Sequence, residues 1–389
     1  MADGDEVIRF VHTADWHLGW MRTSLRDSDG MPVEYRWVIG AAEQMVNYVL
    51  SEGIGLVLMC GDILSTKNPS PTVENLLAGV LKKLTENGVV VVYLLGNHEM
   101  PARGDHPAKI YKTLEIPNVV VGDEVKVHRL KTYGGEVQVA TIPASLPDES
   151  GFDEALSRVV GEIRDDVPSV LMAHIYTRGA RLSGNDFGLP PDEMSVSTQS
   201  FLNLPFDYIA LGHIHRYQQI SKVIPAVYSG SIQRVTFAEE GETKGFVDVR
   251  IRRADKGYRA DWRFVPVDSV RFITVEVDAR GKEDVVKLVA GQMESSDVRG
   301  AMVRLRVRRR TDDVRIPVRT LRKLAGEWGA IAVFIEEKVE HTHREKSRDF
   351  EKTTGDMLLD IERYIKSEKP ELTDRMREII KTVREIING

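Results

Sequence analysis

The sequence predicts an α/β protein whose core is a two-sheet sandwich, followed by a small α+β segment and C-terminal helices. Three observations carry this. Apolar, β-branched runs of strand length (56–60, 89–95) alternate with stretches of helical periodicity in the first hundred residues. Shorter runs then come closely spaced, at 119–121, 137–142, 170–173, 208–211, 227–228 and 246–251. Beyond about residue 268 the pattern becomes β-α-β-α-β and then turns helical and charged.

In chain order, residues 7–13 alternate apolar and polar and run into Ala14-Asp15, a strand feeding a loop. Residues 35–50 place apolar side chains at helical spacing and stop near Gly53. The uniformly apolar run 56–60 reads as a buried strand, 71–84 as a helix opened by Pro71, and 89–95 as a strand ending at Gly96-Asn97. This alternation implies βαβ units and a sheet covered on both faces. The closeness of the later runs predicts a second, more antiparallel sheet. Residues 273–277 alternate as a strand, 282–293 and 318–328 are helical, and 331–335 is a strand. In 302–307, Val303, Leu305 and Val307 take one face, while Arg304, Arg306 and Arg308 take the other.

From Ser347, Met357, Leu358, Ile361, Tyr364 and Ile365 form one apolar helix face. After Lys369-Pro370, Leu372, Met376, Ile379, Ile380, Val383, Ile386 and Ile387 form another. These two helices either fold back on their own domain or dock on a partner. The expected domains are 1–268, 269–346 and 347–389.

Composition narrows the function classes. A chain of 389 residues suffices for two or three domains of roughly 100–200 residues. The opening MADGDEVIRF has neither a basic start nor an apolar run, so no secretory signal is expected. No apolar stretch approaches the ~18–20 residues of a membrane span. The single Cys60 rules out an internal disulfide and fits a reducing, cytoplasmic location. Its place at the end of an apolar run makes it a buried strand thiol. The net charge of −6 does not suggest a polyanionic partner, yet 299–323 carries ten Lys/Arg against two acidic residues. That stripe is either a phosphate-backbone footprint or a solvated strand face.

Five short blocks, each coming after an apolar run, carry the chemistry: Asp15-Trp16-His17, Gly61-Asp62, Gly96-Asn97-His98-Glu99, Ala173-His174 and Gly212-His213-Ile214-His215. They hold five of the ten histidines. Carboxylate, imidazole and amide donors delivered from several strand ends are what a pair of hard divalent ions requires, and such a pair hydrolyses phosphoesters. Asp62 is the natural bridge between two ions. Asp15 and His17 can turn toward one ion, and His213 and His215, at the same spacing, would point the same way in a strand-like segment. His341-x-His343 is a further ligand-like pair outside these blocks, among Glu and Lys.

D-x-H, G-D, G-N-H-E, H and G-H-x-H, in this order, resemble the signature of the calcineurin-like metallophosphoesterases. The resemblance covers most of residues 8–250. It implies that one metal takes Asp15, His17, Asp62 and His215, and the other Asp62, Asn97, His174 and His213. His98 would face the leaving group, as general acid or transition-state stabiliser, with Glu99 orienting it. Water activated by the ions would attack phosphorus in line.

Within that superfamily, His12-Thr13-Ala14-Asp15-Trp16-His17-Leu18-Gly19, Asn68-Pro69-Ser70-Pro71, 206–215, 228–234, Phe237-Ala238-Glu239-Glu240 and Lys244-Gly245-Phe246 resemble SbcD-type DNA nucleases. This second resemblance implies a substrate, a cofactor and partners. Two Mn²⁺ ions, or Mg²⁺ or another divalent metal, would serve 3'-5' exonuclease and single-strand endonuclease activity. The implied substrates are DNA ends, double- and single-stranded, in double-strand-break processing on the nucleoid. A capping domain would hold DNA through Arg304, Arg306 and Arg308. The terminal helices would dock on the coiled coil of an SbcC-type ABC ATPase. The resemblance also implies a homodimer through 73–84 or the segment after Pro107, with no membrane association. One departure is Ser65, where these nucleases often carry His, Asp or Asn; it bears on the balance of exonuclease and endonuclease activity. The alternatives are a small-molecule or nucleotide phosphodiesterase on the same core, and a non-catalytic DNA-end tether.

Overall fold

The computed structural model describes residues 7–101, 103–184, 194–223, 225–313, 315–340 and 356–388. His341 and His343, and the side chains of Ile386 and Ile387, lie outside the described residues.

The elements run in the order β1 (Val7–Thr13), α1 (Val33–Ser51), β2 (Leu56–Cys60), α2 (Pro71–Thr85), β3 (Val90–Leu94), α3 (Lys109–Thr113), β4 (Val119–Gly122), β5 (Lys126–Thr132) and β6 (Gly135–Ile142). Next come α4 (Glu149–Val160), β7 (Ser169–His174), β8 (Tyr176–Thr177), β9 (Ser195–Val196), β10 (Tyr208–Gly212), β11 (Gln218–Gln219), β12 (Ala226–Tyr228), β13 (Gly245–Arg253) and β14 (Tyr258–Pro266). The chain ends with β15 (Arg271–Asp278), α5 (Val285–Ser295), β16 (Ala301–Arg310), α6 (Val318–Glu327), β17 (Ala332–Glu340), α7 (Met357–Glu368) and α8 (Met376–Asn388).

Two six-stranded sheets form the core, in the orders β14-β13-β1-β2-β3-β4 and β11-β12-β10-β7-β6-β5. The predicted sandwich is therefore present. Its second sheet departs from expectation. β6, β7, β10 and β12 are mutually parallel, and only the edge strands β5 and β11 run antiparallel. The runs at 119–121 and 246–251 belong to the first sheet, β4 beside β3 and β13 antiparallel to β1. Closeness in sequence does not decide sheet membership, because pairing is a long-range choice.

Period-two alternation explains the layers. Val57 and Met59 face α1 and α2, in a cluster with Val38, Met45, Val49, Leu77 and Leu81. Leu56, Leu58 and Cys60 face the other sheet, against Val139, Val170, Met172 and Tyr208. The outer face of the second sheet is closed by Phe152, Leu156 and Val159 of α4. Local signals set the helix starts. The Ser70 hydroxyl accepts from the Val73 N–H and Pro71 occupies the first turn of α2, while Asp148 accepts from the Gly151 N–H at 2.9 Å in α4.

The chain divides into two compact units. The first holds Met1–Glu276, Val286–Arg306 and Pro317–Glu336; within it Phe272, Met302 and Phe334 cluster with Phe237 and Trp37. The second holds Val277–Val285, Val307–Ile316 and Glu337–Gly389. It contains α7, capped by Asp356 accepting from the Leu358 N–H at 3.0 Å, and α8. The predicted β-α-β-α-β run is present as a three-stranded sheet of order β15-β16-β17, with α5 and α6 between its strands in sequence. No helix among the described residues is long and apolar enough to cross a membrane.

Candidate metal centre

Every block sits at the C-terminal end of a buried strand. Asp15 and His17 come after β1, Asp62 after β2, Asn97 and His98 after β3, His174 ends β7, and His213 and His215 come after β10. Parallel strands put these ends on one edge of their sheet, the usual position for a ligand site in open α/β sheets. The first two loops are zipped together. The N–H groups of Asp15, His17 and Leu18 donate to the carbonyls of Gly61, Asp62 and Ile63 at 3.0, 3.0 and 2.9 Å, and the Ser65 N–H donates to Leu18 at 3.0 Å.

The backbone is strained where the ligands are. Asp15, His17, Asp62 and His213 have φ of 53°, 47°, 51° and 98°, the left-handed region that costs a non-glycine residue about 1–3 kcal/mol. For this reason His213 and His215 do not point the same way. β10 stops at Gly212, the chain turns, and His213 joins Asp62 and His174 while His215 joins Asp15 and His17. Glycine is required next to the turns. A Cβ on Gly96 would meet Asp62 Oδ1 at 2.1 Å, and one on Gly212 would meet the Cys60 carbonyl at 1.9 Å.

The side-chain polar atoms of these residues converge on one another at close range. His174 Nδ1 donates to the Cys60 carbonyl at 2.8 Å. Its Nε2 then faces Asp62 Oδ2 at 3.3 Å and Asn97 Oδ1 at 3.0 Å. His213 Nδ1 lies 3.2 Å from the same Asn97 oxygen. His17 Nε2 is 2.9 Å from His215 Nε2 and 4.0 Å from Asp62 Oδ2. His215 Nδ1 donates to Glu239 Oε1 at 3.1 Å, which leaves Nε2 as the lone-pair end. Asp15 accepts from the His213 N–H through both oxygens at 3.0 Å.

Such a cluster requires positive charge. Burial lowers the His174 imidazolium, but Asp62 more than reverses this and holds it at about 9. Burial and the neighbouring His215 press His17 down to about 3. Burial pushes the Asp15 carboxyl up. Burial would also raise Asp62, yet His174 and His17 hold it far below the usual carboxylate range. A divalent cation would supply the missing charge, and the donors are the nitrogen and oxygen types that hard and borderline ions take. The residues fit two such ions. Asp15, His17 and His215 surround one position, Asp62, His174 and His213 with Asn97 another, and Asp62 lies within reach of both sets.

His98 stands apart. Its Nδ1 donates to the Ser65 carbonyl at 3.2 Å, its Nε2 is 3.9 Å from Asp62 Oδ2, and its side chain is 40% exposed, the most open imidazole of the group. The Ser65 backbone therefore orients His98. Glu99 does not. It is fully buried and accepts from the N–H groups of Asp62, Leu64 and Gly96 at 3.1, 2.8 and 2.9 Å and from the Tyr93 hydroxyl at 2.5 Å. Glu99 thus fixes the loop that carries Asp62. Burial and then Asp62 push its carboxyl up to about 7.

Sequence reasoning met Glu239 and Lys244 only within runs that carry the family resemblance and gave neither a role, although Thr236-x-x-Glu239 is a readable capping box. Trp16 is core filling: it is fully buried, its indole donating to Thr13 Oγ1 at 2.7 Å. Of the arginine row, Arg304 donates to Thr274 Oγ1 at 2.8 and 3.0 Å and lies 4.8 Å over the Phe237 ring. Arg306 pairs with Glu336 at 2.9 Å, and Arg308 is exposed.

The calcineurin-like phosphoesterase family profile matches residues 8–217, from β1 to just past His215. The chain belongs to this family. A calcineurin-like phosphoesterase is a metal-dependent hydrolase, and the match spans all seven ligand candidates. The chain is also similar to the SbcD component of the nuclease SbcCD of Bacillus subtilis, 28% identical over 304 residues, which cover 72% of this chain and 74% of that protein. The Staphylococcus epidermidis protein of the same name is 24% identical, with the same coverage. The resemblance to SbcD-type proteins thus extends past the phosphoesterase core. Among solved structures, a dimetal phosphatase from Danio rerio is 10% identical at a TM-score of 0.39, covering 66% of this chain and 98% of that one.

Proposed function

We propose that this chain is an SbcD-type DNA nuclease that hydrolyses phosphodiester bonds with two divalent ions, Mn²⁺ foremost. The observation that carries the reading is the convergence of seven donors from five strand ends, with the half-open His98 beside them. The similarity to two SbcD components of SbcCD nucleases over 72% of the chain supports DNA as the substrate.

One ion is assigned to Asp15, His17, Asp62 and His215, the other to Asp62, Asn97, His174 and His213. When bound, the ions supply a nucleophile at neutral pH and neutralise charge on the transferring phosphoryl group. The protein's own part is to hold the donors on strained loops so that little rearrangement accompanies binding. His98, anchored by its Nδ1–H on Ser65, presents Nε2 to the leaving-group oxygen and donates a proton to it, a contribution of about 10²–10⁴ in rate. Residues 1–268 serve as the nuclease domain and 269–346 as the cap. Arg306 and Arg308 are assigned to sequence-independent phosphate contacts.

Residues 347–389 are assigned to the coiled coil of an SbcC-type ABC ATPase. Met357, Leu359 and Tyr364 of α7 are 61%, 43% and 45% exposed, an apolar surface suited to helix-on-helix docking. A homodimer is assigned to the α3 region, where Ile110 and Leu114 are 55% and 61% exposed; the apolar face of α2 is already buried in its own domain. The complex is placed in the cytoplasm, at DNA breaks, with 3'-5' exonuclease and single-strand endonuclease activity.

The test is cleavage of labelled double- and single-stranded DNA beside bis-p-nitrophenyl phosphate, with Mn²⁺ and with EDTA. Mn²⁺-dependent DNA cleavage that His98→Ala abolishes is expected. Turnover of the small ester without DNA cleavage would replace this reading with a small-molecule phosphodiesterase, and DNA binding without any hydrolysis would replace it with an end tether. Co-purification with an SbcC-type ATPase should be lost on removing residues 348–389.

A further inference from the structure

His215 is gripped at both its ring and its backbone by residues of one short stretch, 231–244. Its Nδ1 donates to Glu239 Oε1 at 3.1 Å. Its carbonyl accepts from Lys244 Nζ at 3.0 Å and from the Ser231 N–H at 3.0 Å. Glu239 and Lys244 are themselves paired at 2.6 Å, each side chain 1% exposed. Glu239 is tied further to the Ser231 hydroxyl at 3.1 Å and the Thr236 N–H at 3.0 Å. A buried ion pair contributes little to stability that an apolar pair of the same volume would not, so its presence calls for another role. Its contacts with His215 supply one. A carboxylate on the far nitrogen of an imidazole ligand fixes the tautomer and the ring direction.

The same stretch is held on its other side by β15–β17. The Phe237 ring lies 4.8 Å from Phe272 and 5.8 Å from Phe334, and the Arg304 guanidinium covers it at 4.8 Å. Arg304 also approaches Glu240 Oε2 at 3.7 Å, and the Thr274 hydroxyl bonds both Glu240 and Arg304. The turn Phe237–Glu239 therefore joins a metal-ligand candidate to the strand sheet that comes after the core, within three residues.

We propose that Glu239 and Lys244 are positioning residues for His215, and that Arg304 acts through the 236–240 turn to keep them in place. The packing of Arg304 then sets how tightly the ion at Asp15, His17 and His215 is held. This rests on the two-ion reading of the centre, and it gives Arg304 a role other than phosphate contact.

The test is calorimetric titration of the EDTA-stripped full chain with Mn²⁺, read without any DNA. The wild type is expected to show two binding events. Glu239→Gln should weaken one of them by about 10–100-fold and leave the other within about threefold. Arg304→Gln should weaken the same event by about 3–10-fold, and the double variant should be no weaker than Glu239→Gln, since both act through one contact. Glu239→Asp, which keeps the charge, should recover part of the loss. Unchanged metal binding in Glu239→Gln overturns the proposal, as does a double variant whose losses multiply. Should Glu239→Gln fail to fold, as an EDTA melt would reveal, Arg304→Gln decides alone, and unchanged binding in it overturns the coupling. A wild type with a single binding event overturns the two-ion centre itself. Absence of DNA cleavage would overturn only the proposed substrate.

Discussion

His17 and His215 face each other nitrogen to nitrogen, their Nε2 atoms 2.9 Å apart across loops that are 198 residues distant in sequence. Two neutral imidazoles cannot both offer lone pairs at that distance without a cation between them or a proton on one. Divalent metal should therefore stabilise the protein markedly. At a free metal concentration of 100 times Kd, each site adds about 2.7 kcal/mol. Thermal melts with Mn²⁺ and with EDTA check this. His215→Ala should lose about half of the metal-dependent rise in Tm, and an equal rise in that variant would be incompatible with the site.

His98→Gln separates binding from chemistry. The side chain reaches the edge of the cluster beside His17 and Asp62 but is assigned to neither ion, so Mn²⁺ affinity should stay within a few-fold of wild type while kcat on DNA falls about 10²–10⁴-fold. Calorimetry and single-turnover cleavage measure the two arms. Parallel loss of metal binding would make His98 a ligand instead.

Gly96→Ala tests the close approach beneath Asp62. The new methyl would sit 2.1 Å from Asp62 Oδ1 and 2.4 Å from its backbone nitrogen, neither of which can retreat, because Glu99 and the His98 N–H hold them. Overpacking of this kind costs about 1–3 kcal/mol or more. We expect a lower urea midpoint together with weakened Mn²⁺ binding; a variant with wild-type behaviour in both would show that the loop yields.

Asp248 offers a pH test away from the centre. Its carboxylate accepts from Arg9 at 2.9 and 2.8 Å, from the Tyr48 hydroxyl at 2.8 Å and from Arg263 at 3.1 Å. Burial alone would raise it, but these donors hold it below the usual carboxylate range. A depressed carboxyl contributes stability above its unfolded value, near 3.9, and loses it as pH falls through the folded value. Asp248→Asn should cost about 2 kcal/mol at pH 7, and the gap to wild type should narrow below about pH 4. Urea titrations at pH 7 and pH 3 measure both values.

The donors were legible in the sequence because each comes after a strand-like run, alternating in 7–13 and mostly apolar in the others, and a strand end is where a parallel sheet presents side chains. Their directions were not. Spacing alone made His213 and His215 partners, whereas the left-handed φ at His213 sends them to different donor sets. The place of β13 against β1 was equally hidden: the Arg9–Asp248 contact joins residues 239 apart, and no local pattern records such a pairing. The part played by Glu239 was hidden for the same reason. Its neighbours in sequence mark a turn, and only the fold brings His215 onto its carboxylate. Glu99 was read with His98, its neighbour in the chain, and belongs instead to the loop of Asp62.

The loop bearing Asp15 and His17 and the loop bearing Asp62 use one another's main chain, amide to carbonyl, along the whole of their shared length. Neither can peel away without stripping the other. On the proposed two-ion reading, opening of one loop would expose both cradles, and the two ions should exchange with solvent as a unit. Isotope-exchange traces should then obey one rate constant rather than two.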